Sequence, residues 1–349
     1  MCISCKTFQR WCAGMVQIRI RKLFFIYVTV TIVGFIWFYS TYDVHDCKVK
    51  EIEELLEWYK SKTSQLQKSL DNRALELREW QRNSLPKKGY LIPNFPFIYV
   101  VTPTHDYAEQ KANLVTFYHT LLNVKNVHWI IIEDSYNKTN LVSNILRNSG
   151  IPFTHLNVLT PPAIKMKQSD PTWLKPKGVL QRNAAIQWIR ENVNPHKQHG
   201  VVYFADDDNT YSLEVFEEMR FTKTVTVWPV GLVGGLRYEK PIVKDGKVTS
   251  WFVYWKPQRP FPMDMAGFAI NVQLFFDSPN AKFSNEVPRG YLESTILEQL
   301  HVKMEDLEPR ADNCTKVLVW HTRTEKTKLD NEKKMMTKYG YGSDTNVEV

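Results

Sequence analysis

Several common signatures are missing from this 349-residue chain, and each absence narrows what it can do. No strand-like run leads into a Gly-x-Gly-x-x-Gly fingerprint or a P-loop, which argues against a dinucleotide oxidoreductase and a P-loop nucleotidase. Five cysteines, at positions 2, 5, 12, 47 and 314, are too few and too scattered for a metal knuckle or a disulfide-built scaffold. A long basic run is absent too. The formal net charge is +8, yet Lys6, Arg10, Arg19, Arg21 and Lys22 supply five of those charges before residue 23, with no acid among them. The remainder is only mildly basic, so no nucleic acid is expected as a partner, while a basic groove for an acidic donor or glycan stays open.

What is present begins with a charge-free run from Leu23 to Tyr39, relieved only by threonines and one glycine. It is close to the shortest helix that crosses a bilayer, and aromatics gather at both ends as they do at membrane interfaces. The basic residues precede it and Asp43 and Asp46 follow. That asymmetry predicts a single-pass type II protein: cytoplasmic tail 1–22, signal-anchor 23–40, and the rest lumenal. A cleaved signal peptide is the rival, but no small-residue cleavage site follows. Cys2, Cys5 and Cys12 would then face the reducing side, as unpaired thiols or acylation sites. Cys47, in the oxidising lumen, is a candidate for an interchain disulfide between two copies. Residues 41–88 read as a charged stem, with Ile52, Leu55, Leu56, Tyr59, Leu66, Leu70 and Leu77 at helical spacing. Lys62 and Arg73 break the heptad, so any pairing with a second copy is weak. Asn137-Lys138-Thr139 and Asn313-Cys314-Thr315 are glycosylation sequons, usable only in the lumen.

From Pro96 strands and helices alternate. Strands are expected at 97–102, 128–132, 153–159 and 201–204, with helices ending near 122 and spanning 141–147 and 178–193. This is the mark of an α/β protein with a mostly parallel, doubly wound sheet. Shorter mixed strands follow at 225–230, 231–238, 247–255 and 268–272, then a helix at 291–299, a strand at 316–320, and a charged tail from Glu325 expected to be mobile.

The strand Val201-Val202-Tyr203-Phe204-Ala205 ends in Asp206-Asp207-Asp208-Asn209. Ligands of open α/β sheets sit beyond the carboxyl ends of strands, where these aspartates emerge. Adjacent carboxylates repel one another, and such oxygen donors suit Mn²⁺ or Mg²⁺ bridging to a substrate phosphate. The plainer alternative is a helix start, with Asp208 or Asn209 as the N-cap and Glu214 and Glu217 following. Capping requires one such residue rather than three. The carboxylate stretch has no histidine, which argues against a metal-dependent phosphohydrolase.

Three motifs then occur in order: Phe204-Ala205-Asp206-Asp207-Asp208-Asn209-Thr210-Tyr211, Arg259-Pro260-Phe261-Pro262-Met263-Asp264-Met265-Ala266-Gly267-Phe268, and Trp320-His321-Thr322-Arg323-Thr324-Glu325. All three resemble the β-1,3-glucuronosyltransferases. The likeness runs from about Phe97 to the C-terminus, with the same anchor-and-stem layout. The resemblance implies a GT-A-like fold on a membrane anchor in the Golgi, with a donor half at 89–215 and an acceptor half plus tail at 216–349. It further implies UDP-glucuronate as donor, Mn²⁺ as cofactor, inversion at the anomeric carbon and a homodimer. By position, Asp208 matches the metal ligand. Pro103, His105, Asp134, Lys177, Arg182, Asp206, Asp207, His321 and Arg323 match donor-binding positions. Glu239, Arg259, Asp264 and Arg289 match positions that bind a galactose-terminated glycan acceptor. Glu293 matches the catalytic base, since single displacement needs a carboxylate to take the acceptor proton. On its own Glu293 reads as well as a charge near a helix N-terminus. Asp264, between methionines, is oddly set for a solvated charge. Two positions depart from the family pattern: His105 where a base-stacking tyrosine is expected, and Lys177 where an arginine is expected. The acceptor implied is the Gal-Gal-Xyl linker of proteoglycans. An N-acetyllactosamine end is the alternative, and a lumenal glycan-binding protein without turnover is the non-enzymatic rival.

Overall fold

A computed structural model describes residues 22–37, 53, 55–71, 91–164, 176–322, 324–325, 329–342 and 345. Cys2, Cys5, Cys12, Cys47 and Arg323 lie outside them, as do residues 38–40 of the expected anchor and most of the stem. The chain divides into two compact units, Met1–Arg78 and Glu79–Val349.

In the first unit residues 22–37 (α1) and 55–71 (α2) are helical. Thr31 Oγ1 in α1 donates to Tyr27 O at 2.6 Å, the local bond by which a threonine hydroxyl is satisfied on an apolar helix. Among the described residues no helix is long and apolar enough to cross a membrane. The leucines of α2, with Trp58 and Tyr59, are exposed.

The second unit is built on a seven-stranded sheet in the order β11-β6-β10-β4-β1-β2-β3. Its strands are β1 (Phe97–Thr104), β2 (Val127–Glu133), β3 (Phe153–Asn157), β4 (Gly200–Phe204), β6 (Val225–Val227), β10 (Phe268–Asn271) and β11 (Leu307–Pro309). β1, β2, β3 and β4 run parallel, while β10 lies antiparallel between β4 and β6. The central strands are continuous apolar runs because both faces are covered. Ile98, Val100, Trp129 and Tyr203 face helices α3 (Gln110–Leu121), α4 (Asn140–Ser149) and α6 (Leu213–Arg220). The alternate residues Tyr99, Val101, Ile130 and Phe204 face α5 (Val179–Asn192) and α8 (Leu292–Gln299). A second, mixed sheet has the order β5-β12-β7-β8-β9. It comprises β5 (Thr210–Tyr211), β7 (Val230–Gly231), β8 (Tyr238–Lys244), β9 (Lys247–Phe252) and β12 (Val319–Trp320). β6, β10 and β11 follow residue 215 yet complete the first sheet, so donor and acceptor stretches share it.

One alternative falls away and three expectations change. Helix α6 begins at Ser212, whose hydroxyl accepts from Glu214 N at 3.2 Å, so neither Asp208 nor Asn209 caps it and the aspartates are not spent on a helix start. The strand expected at 231–238 is broken between Gly231, which ends β7, and Tyr238, which opens β8, because Leu232, Gly234 and Gly235 all have positive φ. The late strand shrinks to β12, since Ala311, Asp312, Asn313 and Cys314 form a left-handed turn with φ between 52° and 60°. Such geometry costs about 1–2 kcal/mol per residue, offset here by the burial of Ala311 and Cys314 and by the bond from Ala311 N to Glu218 Oε2 at 3.1 Å. The tail expected to be mobile contains helix α10 (Asp330–Tyr339).

One buried cation fastens the start of the sheet. Arg220 Nη1 donates to Pro96 O at 3.1 Å and Lys125 O at 2.9 Å, Nε and Nη2 bind Glu217, and the guanidinium lies 4.3 Å from the Phe95 ring. Arg220→Met keeps the bulk and strands both carbonyls, so chemical denaturation should show a loss of about 3 kcal/mol. A loss below about 0.5 kcal/mol would show that the latch is dispensable.

Candidate active site

The site forms where β1, β2 and β4 end together, with Thr104 in register with Glu133 and Val101 with Phe204. Asp206 Oδ1 accepts from Arg182 Nη2 at 2.8 Å, and Arg182 Nη1 donates to Lys177 O at 2.7 Å. Arg182 lies in the first turn of α5, which starts at Gly178 (φ 68°). A Cβ on Gly178 would fall 2.7 Å from Arg182 Nη1 and 3.1 Å from Pro103 Cβ, so only glycine lets this helix start so close to the end of β1. Asp207 Oδ2 accepts from Thr104 Oγ1 at 2.6 Å, and Gln110 steadies that hydroxyl at 3.0 Å. Burial pushes the Asp207 carboxyl up to about 6, against the pull of bonds from Thr104 and Tyr107, with Asp208 and Asp206 adding to the rise. The Asp208 carbonyl accepts from Thr322 Oγ1 at 2.7 Å.

Around this loop, Asp134 follows β2 and accepts from Thr160 N at 2.6 Å. Beneath it the buried Glu133 binds Thr139 N at 2.8 Å and the His155 ring at 2.5 Å. Lys177 and His105 are exposed, and Pro103 is half-buried in β1.

The acceptor-position residues approach from the other side. Asp264 Oδ1 caps the turn Met265–Gly267 by accepting from Ala266 N at 2.9 Å, and its Oδ2 lies 3.9 Å from His321 Nδ1. Burial raises the Asp264 carboxyl, partly opposed by His321, and Asp206 and Arg182 both act on it. Glu239 is buried with Oε1 unpartnered, and a Cβ on Gly234 (φ 62°) would meet that oxygen at 1.9 Å. Burial raises this carboxyl too, with Arg259 opposing. Arg259 donates to Gly290 O at 2.7 Å. The guanidiniums of Arg259 and Arg289 and the Lys256 ammonium all lie within 5.1 Å of the Trp255 ring centroid.

Glu293 sits in the first turn of α8, in a cleft of about 230 Å³ lined by Trp255, Pro176, Pro288, Arg289, Gly290 and Leu292. Its Oε2 is buried with no hydrogen-bond partner. Burial drives its pKa up to about 7, with Asp264 adding and Arg259 and Arg182 opposing. The fields acting on Glu293 and Asp264 thus join the two sides: Arg182 acts on both, Arg259 on the first and Asp206 on the second. Hydrogen bonds join the end of β1, the start of α5 and the segment after β12 at the aspartate loop, through Thr104–Asp207, Arg182–Asp206 and Thr322–Asp208, with His321 beside Asp264. Asn137 and Asn313 are exposed. Sequence reasoning gave no role to Thr104, Gln110, Tyr107 or Trp255, and Thr322, though inside the third motif, was given none of its own.

Among the described residues no three His, Cys, Asp or Glu side chains form a preassembled metal cage. The donor set still fits Mn²⁺ or Mg²⁺. These ions take hard carboxylate oxygens and draw remaining ligands from water and substrate phosphate, and Asp206, Asp207 and Asp208 offer such oxygens at one strand end.

Residues 117–325 match the profile of Glycosyltransferase family 43. The human galactosylgalactosylxylosylprotein 3-beta-glucuronosyltransferase 3 is 53% identical over 263 residues, 73% of this chain and 78% of the relative. The Caenorhabditis elegans galactosylgalactosylxylosylprotein 3-beta-glucuronosyltransferase sqv-8 is 51% identical, covering 71% of this chain and 70% of the relative. Among solved structures, TarS of S. aureus aligns with a TM-score of 0.41 and 12% identity over 65% of this chain and 60% of that one, too distant to bear on function. The chain belongs to Glycosyltransferase family 43.

The Glu293 geometry has a thermodynamic consequence. Its folded pKa of about 7 exceeds the ordinary 4.5, so the stability gained by burying the neutral acid is full below 4.5 and lost as pH rises through 7. Glu293→Gln should therefore melt above wild type near pH 8, by on the order of 3 kcal/mol, and close to it near pH 4.5. Equal melting at both pH values would show that the carboxyl is not held away from solvent.

Proposed function

We propose that this chain moves glucuronate from UDP-glucuronate to the 3-hydroxyl of the terminal galactose on a galactosylgalactosylxylosyl acceptor, with inversion. The observation that carries this reading is Glu293: a carboxylate with one buried, unpartnered oxygen, lining a small cleft together with Trp255 and acted on by Asp264, Arg259 and Arg182. The activity in the names of relatives half-identical to this chain agrees with it.

In this reading Trp255 offers its face to the apolar side of a galactose ring, while Glu239, Arg259 and Asp264 bind its hydroxyls. Arg182 and Arg323 supply positive charge toward the diphosphate and carboxylate of the donor and His321 hydrogen-bonds to it, with Lys177 at the rim and Asp134 toward the base. Glu293 accepts the proton of the acceptor 3-hydroxyl as that oxygen bonds to the anomeric carbon. The bond from that carbon to the diphosphate breaks, and UDP leaves with the electron pair. Mn²⁺ held by Asp208 would neutralise the charge developing on that leaving group. A pKa near 7 makes Glu293 a stronger base than an ordinary carboxylate while leaving much of it ionised at neutral pH. The same reading places the protein in the Golgi membrane as a type II homodimer, catalytic part in the lumen, with Cys47 available for interchain pairing and Asn137 and Asn313 for glycans.

Transfer to Galβ1-3Gal by the full-length chain tests this directly. Activity should need Mn²⁺ and stop with chelator. kcat/KM should climb as pH rises through about 7, because only the ionised Glu293 takes a proton. Glu293→Gln should lose about 10²–10⁴-fold. Undiminished transfer by this variant would remove Glu293 from the role, and preference for Galβ1-4GlcNAc would remove the linker acceptor.

A further inference from the structure

Gln181 stands in the first turn of α5, beside Arg182, and belongs to none of the three sequence motifs. It is buried on a helix whose other inward residues include Val179, Ala185, Ile186 and Ile189. A glutamine in such a position costs stability unless its amide is bonded. The bonds lead out of the helix: Nε2 donates to Val158 O at 2.7 Å and to Thr160 Oγ1 at 3.2 Å. Both partners lie on the segment that leaves β3. Val158 N donates to Glu133 O at 2.9 Å, which carries the pairing with β2 one residue past the strand. Thr160 N donates to Asp134 Oδ1 at 2.6 Å, and Asp134 N donates to Thr104 O at 2.8 Å. The Asp134 carboxylate is thereby held by a backbone N–H whose own segment is held by Gln181. With Oδ1 fixed in this way, Oδ2 can accept from an N–H of a ligand. The next residue of the same turn reaches the other loop, since Arg182 Nη2 binds Asp206 Oδ1 at 2.8 Å. Two consecutive residues of α5 therefore anchor two loops, one carrying Asp134 and one carrying the aspartates. Gln110 has a parallel place in α3: it is buried and bonds to Thr104, which binds Asp207.

We propose that Gln181 is a positioning residue for the nucleotide. Through Val158 and Thr160 it fixes Asp134 so that the carboxylate accepts the ring N–H of a uracil base, at a set distance from the aspartate loop. The inference rests on the nucleotide-sugar reading above. Uracil offers an N–H at the ring position where cytosine has a lone pair. A firmly held carboxylate therefore favours the first base and repels the second, and a loosely held one discriminates less.

Calorimetric binding of UDP and of CDP to the full-length chain, with Mn²⁺, tests the assignment. Wild type should bind UDP at least about tenfold more tightly than CDP. Gln181→Met keeps the bulk and loses both bonds, and should weaken UDP about tenfold while CDP stays within about twofold. Thr160→Val keeps the N–H that holds Asp134 but loses the hydroxyl that Gln181 reaches, and should weaken UDP about threefold. In turnover, Gln181→Met should raise the donor KM and leave kcat within about twofold, a split that general loosening of the fold does not produce. Thermal melting checks each variant, and Thr160→Val decides the matter if Gln181→Met melts early. Wild type that binds no UDP removes the nucleotide-sugar reading and this inference together. Three results overturn the inference alone: wild type that binds UDP and CDP equally, equal loss of both nucleotides in the variants, or UDP binding that the variants leave unchanged.

Discussion

Acidic side chains buried within reach of one another, and only partly compensated, are the constraint on which this site depends. Glu239, Asp264 and Glu293 all have raised pKa values, each chiefly through burial. Arginines oppose the crowding without cancelling it: Arg182 pairs with Asp206 at 2.8 Å, and Arg259 acts on Glu239 and Glu293. For an acid with a raised folded pKa, stability is full below its unfolded pKa and is lost as pH rises through the folded one. For Glu293, with a folded pKa of about 7, that loss falls near neutral pH. Perturbed carboxylates gathered in a cleft are a mark of function, and their cost is met by the dry, doubly covered sheet beneath them.

The segment after β12 links the two sides of the site. His321 N donates to Gly231 O in β7, and its ring approaches Asp264. Thr322 bonds to the Asp208 carbonyl and pairs with Thr210, and Thr324 reaches Asn113 in α3. Three successive described side chains thereby reach Asp264, the Asp208 carbonyl and helix α3.

Much of this was legible from the chain, for identifiable reasons. β1, β2 and β4 are largely apolar runs because alternate residues pack into two separate core layers; the ends of β2 and β4 fall within one residue of expectation, while β1 runs two residues past 102 to Thr104. The aspartates, Glu293 and the motif around Arg259 stood out through resemblance, and Asp264 also through its apolar neighbours. What escaped depends on tertiary or unusual backbone geometry. Ala311–Cys314 turns left-handed without a glycine, and no local propensity announces that. The turn after β7 uses Leu232 at φ 58°, where a leucine in an apolar run reads as strand. Thr324 stands in a recognised motif, but its bond to Asn113 spans 211 residues and exists only because α3 and the segment after β12 meet in space.

The most direct test of the central claim is the anomeric configuration of the transferred sugar, read by proton NMR on the glycan made from α-linked UDP-glucuronate. A single displacement assisted by Glu293 delivers only the β-linked product. An α-linked product would mean retention, which requires attack on the donor twice, and Glu293 as the base for one direct displacement would have to be abandoned.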